Sequence, residues 1–168
     1  MSPAERRTLL DEVQTAYQED KFTEAMFQRC ICAVFDYYDV TYQTEYAVGP
    51  ADRRCDIYVK ATDTAIELKR EANLTGVGQA AYYANFCDEA MLIADGDPIT
   101  NGHNDAAETA AASVPDVKYG LAVPGVAESP PRMSIITEDS GGFISAAAAD
   151  NIGDGEFLVV KQDEVLSE

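Results

Sequence analysis

The chain has 168 residues, 30 of them acidic and 12 basic, so its formal net charge at pH 7 is −18. This length predicts a single domain over residues 1–168, and a hydrophobic content of 46% excludes wholesale disorder. No apolar run approaches the roughly 18 residues of a membrane span, and no signal-peptide pattern begins the chain. We therefore expect a cytoplasmic protein without a membrane partner.

The acidic residues are spread along the whole chain, whereas lysines are few. Such a surface repels polyanions at low salt. The same composition is typical of proteins from extreme halophiles, and at molar salt the Debye length is only about 3 Å. Long-range repulsion from DNA is then screened, so the net charge does not exclude a nucleic-acid partner.

Other metal and hydrolase chemistries have few supporting residues. The cysteines Cys30, Cys32, Cys55 and Cys87 form no C-x-x-C pair, which disfavours a zinc site or a disulfide framework and predicts free thiols. His103 is the only histidine and follows a glycine in a loop, so we interpret it as a surface residue. A serine triad has no G-x-S-x-G elbow to support it.

Two amphipathic helices are predicted before the first strand. Ser2-Pro3-Ala4-Glu5 has the form of a capping box with proline at the first helical position. After a break at residues 18–22, Thr23 caps the second helix. The apolar stripe of this helix has helical spacing and consists of Phe27, Cys30, Ile31, Val34, Phe35 and Tyr38.

Three strands are predicted next, over residues 40–48, 55–59 and 65–69, with a tight turn at 60–63 between the last two. The last two strands alternate apolar and polar residues, as half-buried strands do. One face carries Cys55, Ile57, Val59, Ile66 and Leu68. The other face carries Asp56, Tyr58, Glu67 and Lys69.

The rest of the chain alternates helices with strands. We predict a helix at about 79–88 that begins after Gly76 and Gly78, a strand at 91–94, a helix capped by Asn104, and a strand at 119–123. The element order α-α-β-β-β-α-β-α-β indicates an α/β fold in which an antiparallel meander leads into a crossover. The tail has strand-like pieces that we expect to extend or cover the sheet, at 133–137, 142–145 and 157–161.

The polar faces of the second and third strands bring together two acids and a lysine. If the turn centres on residues 61–62, Asp56 faces Glu67 directly and Arg54 faces Lys69. Facing Cβ atoms lie about 4.5–5.5 Å apart, so the two carboxylates repel unless a cation or a shared proton compensates. Mg²⁺ suits such a pair, and a divalent ion beside an ammonium group is what phosphodiester hydrolysis needs.

Asp56-(x)10-Glu67-x-Lys69, with each acid inside an apolar strand, resembles the signature of the PD-(D/E)XK nucleases. The resemblance covers about residues 23–123, and Cys55 stands in place of the signature proline. It implies a restriction-endonuclease-like α/β fold, in which a mixed central sheet is flanked by helices around an α-β-β-β-α-β core. The first helix and a β-rich C-terminal extension lie outside this core.

Gln79-x-x-x-Tyr83 is similar to the Gln-x-x-x-Tyr motif of RecB-type members of that family, and Glu24 sits where many members carry a further acid. The resemblance implies that these residues support the catalytic centre. Each also has a structural explanation. Gln79 and Tyr83 can cap or pack the helix, and an acid in a first helical turn is favoured by the helix dipole.

The resemblance also implies the roles of the central residues. Asp56, Glu67 and the carbonyl of Leu68 would hold Mg²⁺, for which Mn²⁺ is an expected substitute. Lys69 would serve the attacking water.

A local excess of positive charge surrounds this motif. Five of the twelve basic residues and only three acids fall within residues 53–70. A positive region beside two carboxylates favours a phosphate-binding site. We therefore expect Arg53, Arg54 and Arg70 to contact DNA, although the two adjacent arginines can also simply balance neighbouring acids.

The sequence thus predicts a Mg²⁺-dependent deoxyribonuclease, with a homodimer as one expected state because many such nucleases dimerise. An alternative class is a non-catalytic protein of the same fold that binds nucleic acid or assembles a larger complex, in a halophilic archaeon or its virus. Such a protein would have no need for a specific metal site. Calorimetry with Mg²⁺ or Mn²⁺ separates the two classes.

Overall fold

A computed structural model describes residues 1–96, 102–126, 132–137 and 142–145. The order of elements agrees with the sequence-based prediction. The elements are α1 (Pro3–Gln18), α2 (Glu24–Tyr37), β1 (Gln43–Val48), β2 (Arg53–Val59), β3 (Thr64–Lys69), α3 (Leu74–Ala84), β4 (Glu89–Asp95), α4 (Asp105–Ala112), β5 (Val117–Gly125), β6 (Arg132–Thr137) and β7 (Gly142–Ser145).

The predicted helix caps are confirmed. Ser2 and Glu5 form the reciprocal capping box of α1, with proline following the cap. The side chain of Thr23 accepts a hydrogen bond from the Met26 N–H at 3.2 Å. Asn104 does the same for α4. These bonds satisfy amide groups that have no partner within the first helical turn.

The seven strands described form one mixed sheet in chain order. The neighbours β3, β4 and β5 run parallel, and all other neighbouring pairs are antiparallel. Because parallel neighbours need a crossover, α3 joins β3 to β4 and α4 lies between β4 and β5 in the chain. The fold is therefore α/β, with a mixed sheet flanked by helices.

Two apolar cores lie on the two faces of the sheet. One packs α1 and α2 against strand residues that include Ile57, Ile66 and Leu68. The other packs α3 and α4 against residues that include Ala65 and Leu92. Since successive strand residues point to opposite faces, β3 contributes to both cores, and Glu67 and Lys69 share the face that α3 covers.

Helix α3 begins earlier than predicted. Its first residue is Leu74, and the Asn73 side chain caps it by accepting from the Gly76 N–H at 2.7 Å. The expected start after Gly76 and Gly78 was wrong, because both glycines lie within the helix. A Cβ on Gly76 would lie 2.9 Å from Leu92 Cδ1, so glycine lets α3 approach the sheet closely.

The C-terminal tail extends the sheet, since β6 pairs with β5 and β7 pairs with β6. The predicted piece at 157–161 lies outside the described residues. For this reason the single domain over 1–168 stays a prediction. Every helix in the described part of the chain is too short or too polar to cross a membrane.

Candidate active site

The predicted register of the central hairpin is confirmed where the two strands pair. Ile57 pairs with Ile66, and the ladder continues to Val59 and Thr64. Beyond Ile57, the Asp56 carboxylate takes part in a different contact: its Oδ2 accepts from the Leu68 N–H at 2.7 Å. The acid thus lies against β3 at the point where the backbone pairing ends.

The strict alternation expected for β2 fails at Cys55. Ile57 and Val59 pack in the core of α1 and α2, whereas Cys55 packs with Tyr58 in the core of α3. The change occurs where the β2–β3 ladder ends, whereas β2 is paired with β1 on both sides of this point, with Ile57 opposite Thr44 and Arg54 opposite Ala47. The expected pairings of Asp56 with Glu67 and of Arg54 with Lys69 are therefore both absent from the ladder.

Glu67 is a buried acid, only 4% exposed, near the carboxyl end of β3. The Tyr83 hydroxyl lies 3.1 Å from Glu67 Oε1 and also donates to the Arg54 carbonyl at 2.8 Å. Lys69 Nζ lies 3.8 Å from Glu67 Oε2, and its side chain is only partly exposed. The lysine thus lies beside the acid on the same face, as the alternation predicted.

The two carboxyl groups perturb each other. Burial raises the pKa of Glu67 to about 8, and the nearby charge of Asp56 acts in the same direction. Burial also raises the pKa of Asp56, although its bond from the Leu68 N–H opposes the change. Near neutral pH the pair therefore retains a proton that a divalent cation can replace.

Two further acids act on Asp56 through their charge. Glu24 is exposed at the first position of α2, and Glu45 is exposed within β1; both raise the pKa of Asp56. Glu45 falls opposite Asp56, because Thr44 pairs with Ile57 and Tyr46 pairs with Cys55. Glu45 was not among the predicted site residues. A register counted from the Gly49-Pro50 turn was the signal that could have identified it.

Glu45 also has an unusual backbone conformation. Its φ is 51°, whereas the other described non-glycine residues with positive φ are all aspartates: Asp20, Asp39, Asp52, Asp63 and Asp116. Aspartate tolerates this left-handed region better than glutamate does. Strain of this kind concentrates at functional sites.

Gln79 and Tyr83 lie one turn apart in α3 and line a common cavity. Tyr83 is almost fully buried and contacts Glu67 directly. Gln79 has a buried Oε1 atom that no donor reaches among the described residues. The structural explanation for Tyr83 also holds, since it packs in the α3 core.

The three arginines expected at DNA do not lie together. Arg53 is exposed and lines the same cavity as Gln79. Arg54 is exposed, and its guanidinium donates to the Glu45 carbonyl at 3.3 Å. The Arg70 guanidinium lies 5.6 Å from the centre of the Phe22 ring, in the core of α1 and α2. Arg70 thus lies away from the face that carries Glu67.

A second group of possible metal ligands lies at the start of α4. One ligand atom each from His103, Asp105 and Glu108 lies within 4.8 Å of the others. His103 Nε2 is 2.8 Å from Asp105 Oδ1, and its Nδ1 is 2.9 Å from the Tyr119 hydroxyl. These hydrogen bonds account for the grouping, because all these residues adjoin the Asn104 cap.

Comparisons of the chain with models of protein families, with curated proteins and with solved structures found no match.

Proposed function

We propose that this protein is a metal-dependent nuclease of the PD-(D/E)XK type that hydrolyses phosphodiester bonds in DNA. One observation carries the proposal: the buried Glu67 carboxylate lies between Lys69 and Tyr83, with Asp56 bound to the adjacent backbone. Burying two acids together is costly unless a cation or a shared proton compensates. The order of helices and strands around these residues also supports the restriction-endonuclease-like fold.

The residues present fit a divalent cation. Asp56 and Glu67 offer oxygen ligands, and burial raises the pKa of both, with the charge of Asp56 raising the pKa of Glu67 further. Together with the Leu68 carbonyl they would hold Mg²⁺ or Mn²⁺, which prefer such hard oxygen donors. When bound, the ion would polarise the scissile phosphate and lower the pKa of a water molecule.

The chain's own residues supply the remaining parts. In the hydrolysis, a water oxygen forms a bond to phosphorus, one P–O ester bond breaks, and the leaving oxygen ends protonated. Lys69 is placed to hold the attacking water and to screen the extra negative charge at phosphorus. Tyr83 fixes the orientation of Glu67, and Arg53 is available to a neighbouring phosphate.

The test is a cleavage assay with Mg²⁺ in molar KCl on single strands, duplexes, flaps and junctions. We expect the parent to cut at least one of these. Glu67→Gln should lower the rate at least about a hundredfold, since it removes a ligand charge at the reacting centre. Glu71→Gln is the matched control, because Glu71 is exposed and lies two residues beyond Lys69. Equal cutting by Glu67→Gln and the parent would refute the proposal.

The non-catalytic alternative gives a different result. A protein that only binds nucleic acid or assembles a complex would cut none of these DNAs, and calorimetry would detect no Mg²⁺ or Mn²⁺ site that Asp56→Asn abolishes. The cytoplasmic location and the homodimer remain predictions.

A further inference from the structure

A cavity of about 410 Å³ opens beside α3. This volume lies within the usual range for pockets that bind small organic groups. The cavity is lined by Arg53, Thr75, Gly78, Gln79, Tyr82 and Tyr83. Of these, Gln79, Tyr83 and Arg53 are residues predicted to act in catalysis or DNA binding.

The cavity adjoins the candidate active site through a single side chain. Tyr83 forms part of the cavity wall, and its hydroxyl lies 3.1 Å from Glu67 Oε1. Only the Tyr83 side chain therefore separates a ligand in the cavity from the carboxyl groups of Glu67 and Asp56. This spacing suits a nucleotide, because its base and its phosphate are joined through one sugar.

The lining has the chemistry that a nucleobase needs. Tyr82 contributes an aromatic ring that is held in place, since its hydroxyl accepts from the Ala51 N–H at 3.1 Å and its ring packs on Phe86. Gln79 contributes a side-chain amide to the wall, and an amide offers both a donor and an acceptor to the edge of a base. Arg53 adds a cation for the adjoining phosphate.

We infer that this cavity receives the base of one unpaired nucleotide while the neighbouring phosphodiester lies at Asp56 and Glu67. The inference rests on the proposed nuclease function and names its substrate class: DNA with an unpaired nucleotide, such as a flap, a bulge or a frayed end. A base inside a duplex is stacked and paired, so it cannot enter a pocket without being extruded. A base that is already unpaired gains stacking on an aromatic ring without that cost.

Gly78 offers a clean way to test the cavity. A Cβ at this position would meet no atom within 4 Å. Gly78→Phe should therefore fill the cavity without disturbing the helix, and Gly78→Ala is the matched control that leaves the cavity open. Thr75→Trp, at another exposed position on the wall, provides a second occluding variant.

The experiment measures binding and cutting separately. Binding is measured by fluorescence anisotropy, in the Glu67→Gln background and at one KCl concentration, with a paired duplex and with the same duplex carrying one unpaired nucleotide. We expect Gly78→Ala to bind the DNA with the unpaired nucleotide about tenfold more tightly than the paired duplex. Gly78→Phe should lose this preference. Cutting is measured with Glu67 intact, and Gly78→Phe should slow cleavage at the unpaired site by a similar factor.

The outcomes separate this inference from the proposed function. If Gly78→Phe and Thr75→Trp are folded and still prefer the unpaired DNA as Gly78→Ala does, the inference is wrong even when the parent is a nuclease. The same holds if Gly78→Ala shows no preference. If the parent cuts no DNA but the preference exists and is lost on occlusion, the cavity binds a nucleotide and the nuclease proposal fails.

Discussion

At the scale of single residues, the candidate site depends on how Glu67 is charged. In the folded chain the Glu67 carboxyl group holds its proton more tightly than an exposed carboxyl group does, because the Glu67 side chain is buried beside Asp56. Between about pH 4.5 and 8 the folded state therefore binds more protons than the unfolded state at this position. The stability of the folded chain should decrease as the pH rises through that window.

Glu67→Gln tests this sign. Glutamine does not titrate, so the variant should be about 3–5 kcal/mol more stable than the parent at pH 9 and equal to it at pH 4. Urea unfolding at a fixed KCl concentration measures the difference at each pH. Glu71→Gln, an exposed acid, should follow the parent at every pH. A constant offset between Glu67→Gln and the parent would contradict the raised pKa of Glu67.

Lys69 should matter for turnover and not for holding the ion. Its ammonium group lies 3.8 Å from Glu67, and removing it leaves both acids in place. We expect Lys69→Met to reduce the cleavage rate about a hundredfold or more and to bind Mn²⁺ at least as tightly as the parent, since one repelling charge is gone. Cleavage kinetics and calorimetry measure the two properties.

Lys60→Met is the control for Lys69→Met, because Lys60 is exposed in the turn between β2 and β3. It should change neither property. Loss of Mn²⁺ binding in Lys69→Met, to the same extent as loss of cleavage, would show that the lysine supports the fold of the site instead of the reaction.

At the scale of elements, α3 carries two glycines in different surroundings. An added Cβ on Gly76 would press on Leu92, which is fully buried, whereas one on Gly78 would meet open space. Alanine favours a helix over glycine by about 1 kcal/mol, but overpacking a core costs about 1–3 kcal/mol. Thermal and urea unfolding should therefore find Gly78→Ala more stable than the parent, and more stable than Gly76→Ala by about 1–2 kcal/mol. The reverse order would contradict the close packing of α3 on β4.

The backbone conformation of strand β1 at Glu45 can be tested by substitution. The positive φ of this residue should cost about 1 kcal/mol relative to glycine. Glu45→Gly and Glu45→Ala both remove the carboxylate, but only glycine removes the energetic cost of the positive φ. We expect Glu45→Gly to be about 1 kcal/mol more stable than Glu45→Ala in urea unfolding. Equal stability would mean that Glu45 adopts an ordinary strand conformation.

At the scale of the whole molecule, the net charge of −18 should make stability depend on salt. Repulsion between like charges destabilises the compact state, and added salt screens it. The melting temperature should rise by several degrees between low and molar KCl at pH 8. At pH 5, where fewer carboxylates are charged, the rise should be smaller. A melting temperature that does not respond to KCl at pH 8 would argue against a halophilic adaptation.

Much of the fold was predictable because it depends on neighbours in the chain. The caps at Ser2, Thr23 and Asn104 follow from side chains that reach amides three residues ahead. The register of the central hairpin follows from its short turn, since the side-chain period of two fixes which residues face each other. The start of α3 was missed because Asn73 was overlooked as a cap in favour of the glycines that follow it.

The sequence by itself therefore determined the order of elements, the hairpin register, and the placing of Glu67 and Lys69 on one face. Only the tertiary structure decided that Glu67 is buried and that a cavity opens beside Tyr83. The reason is physical. Periodicity and capping act over a few residues, whereas burial, pKa shifts and cavities depend on how distant segments pack together.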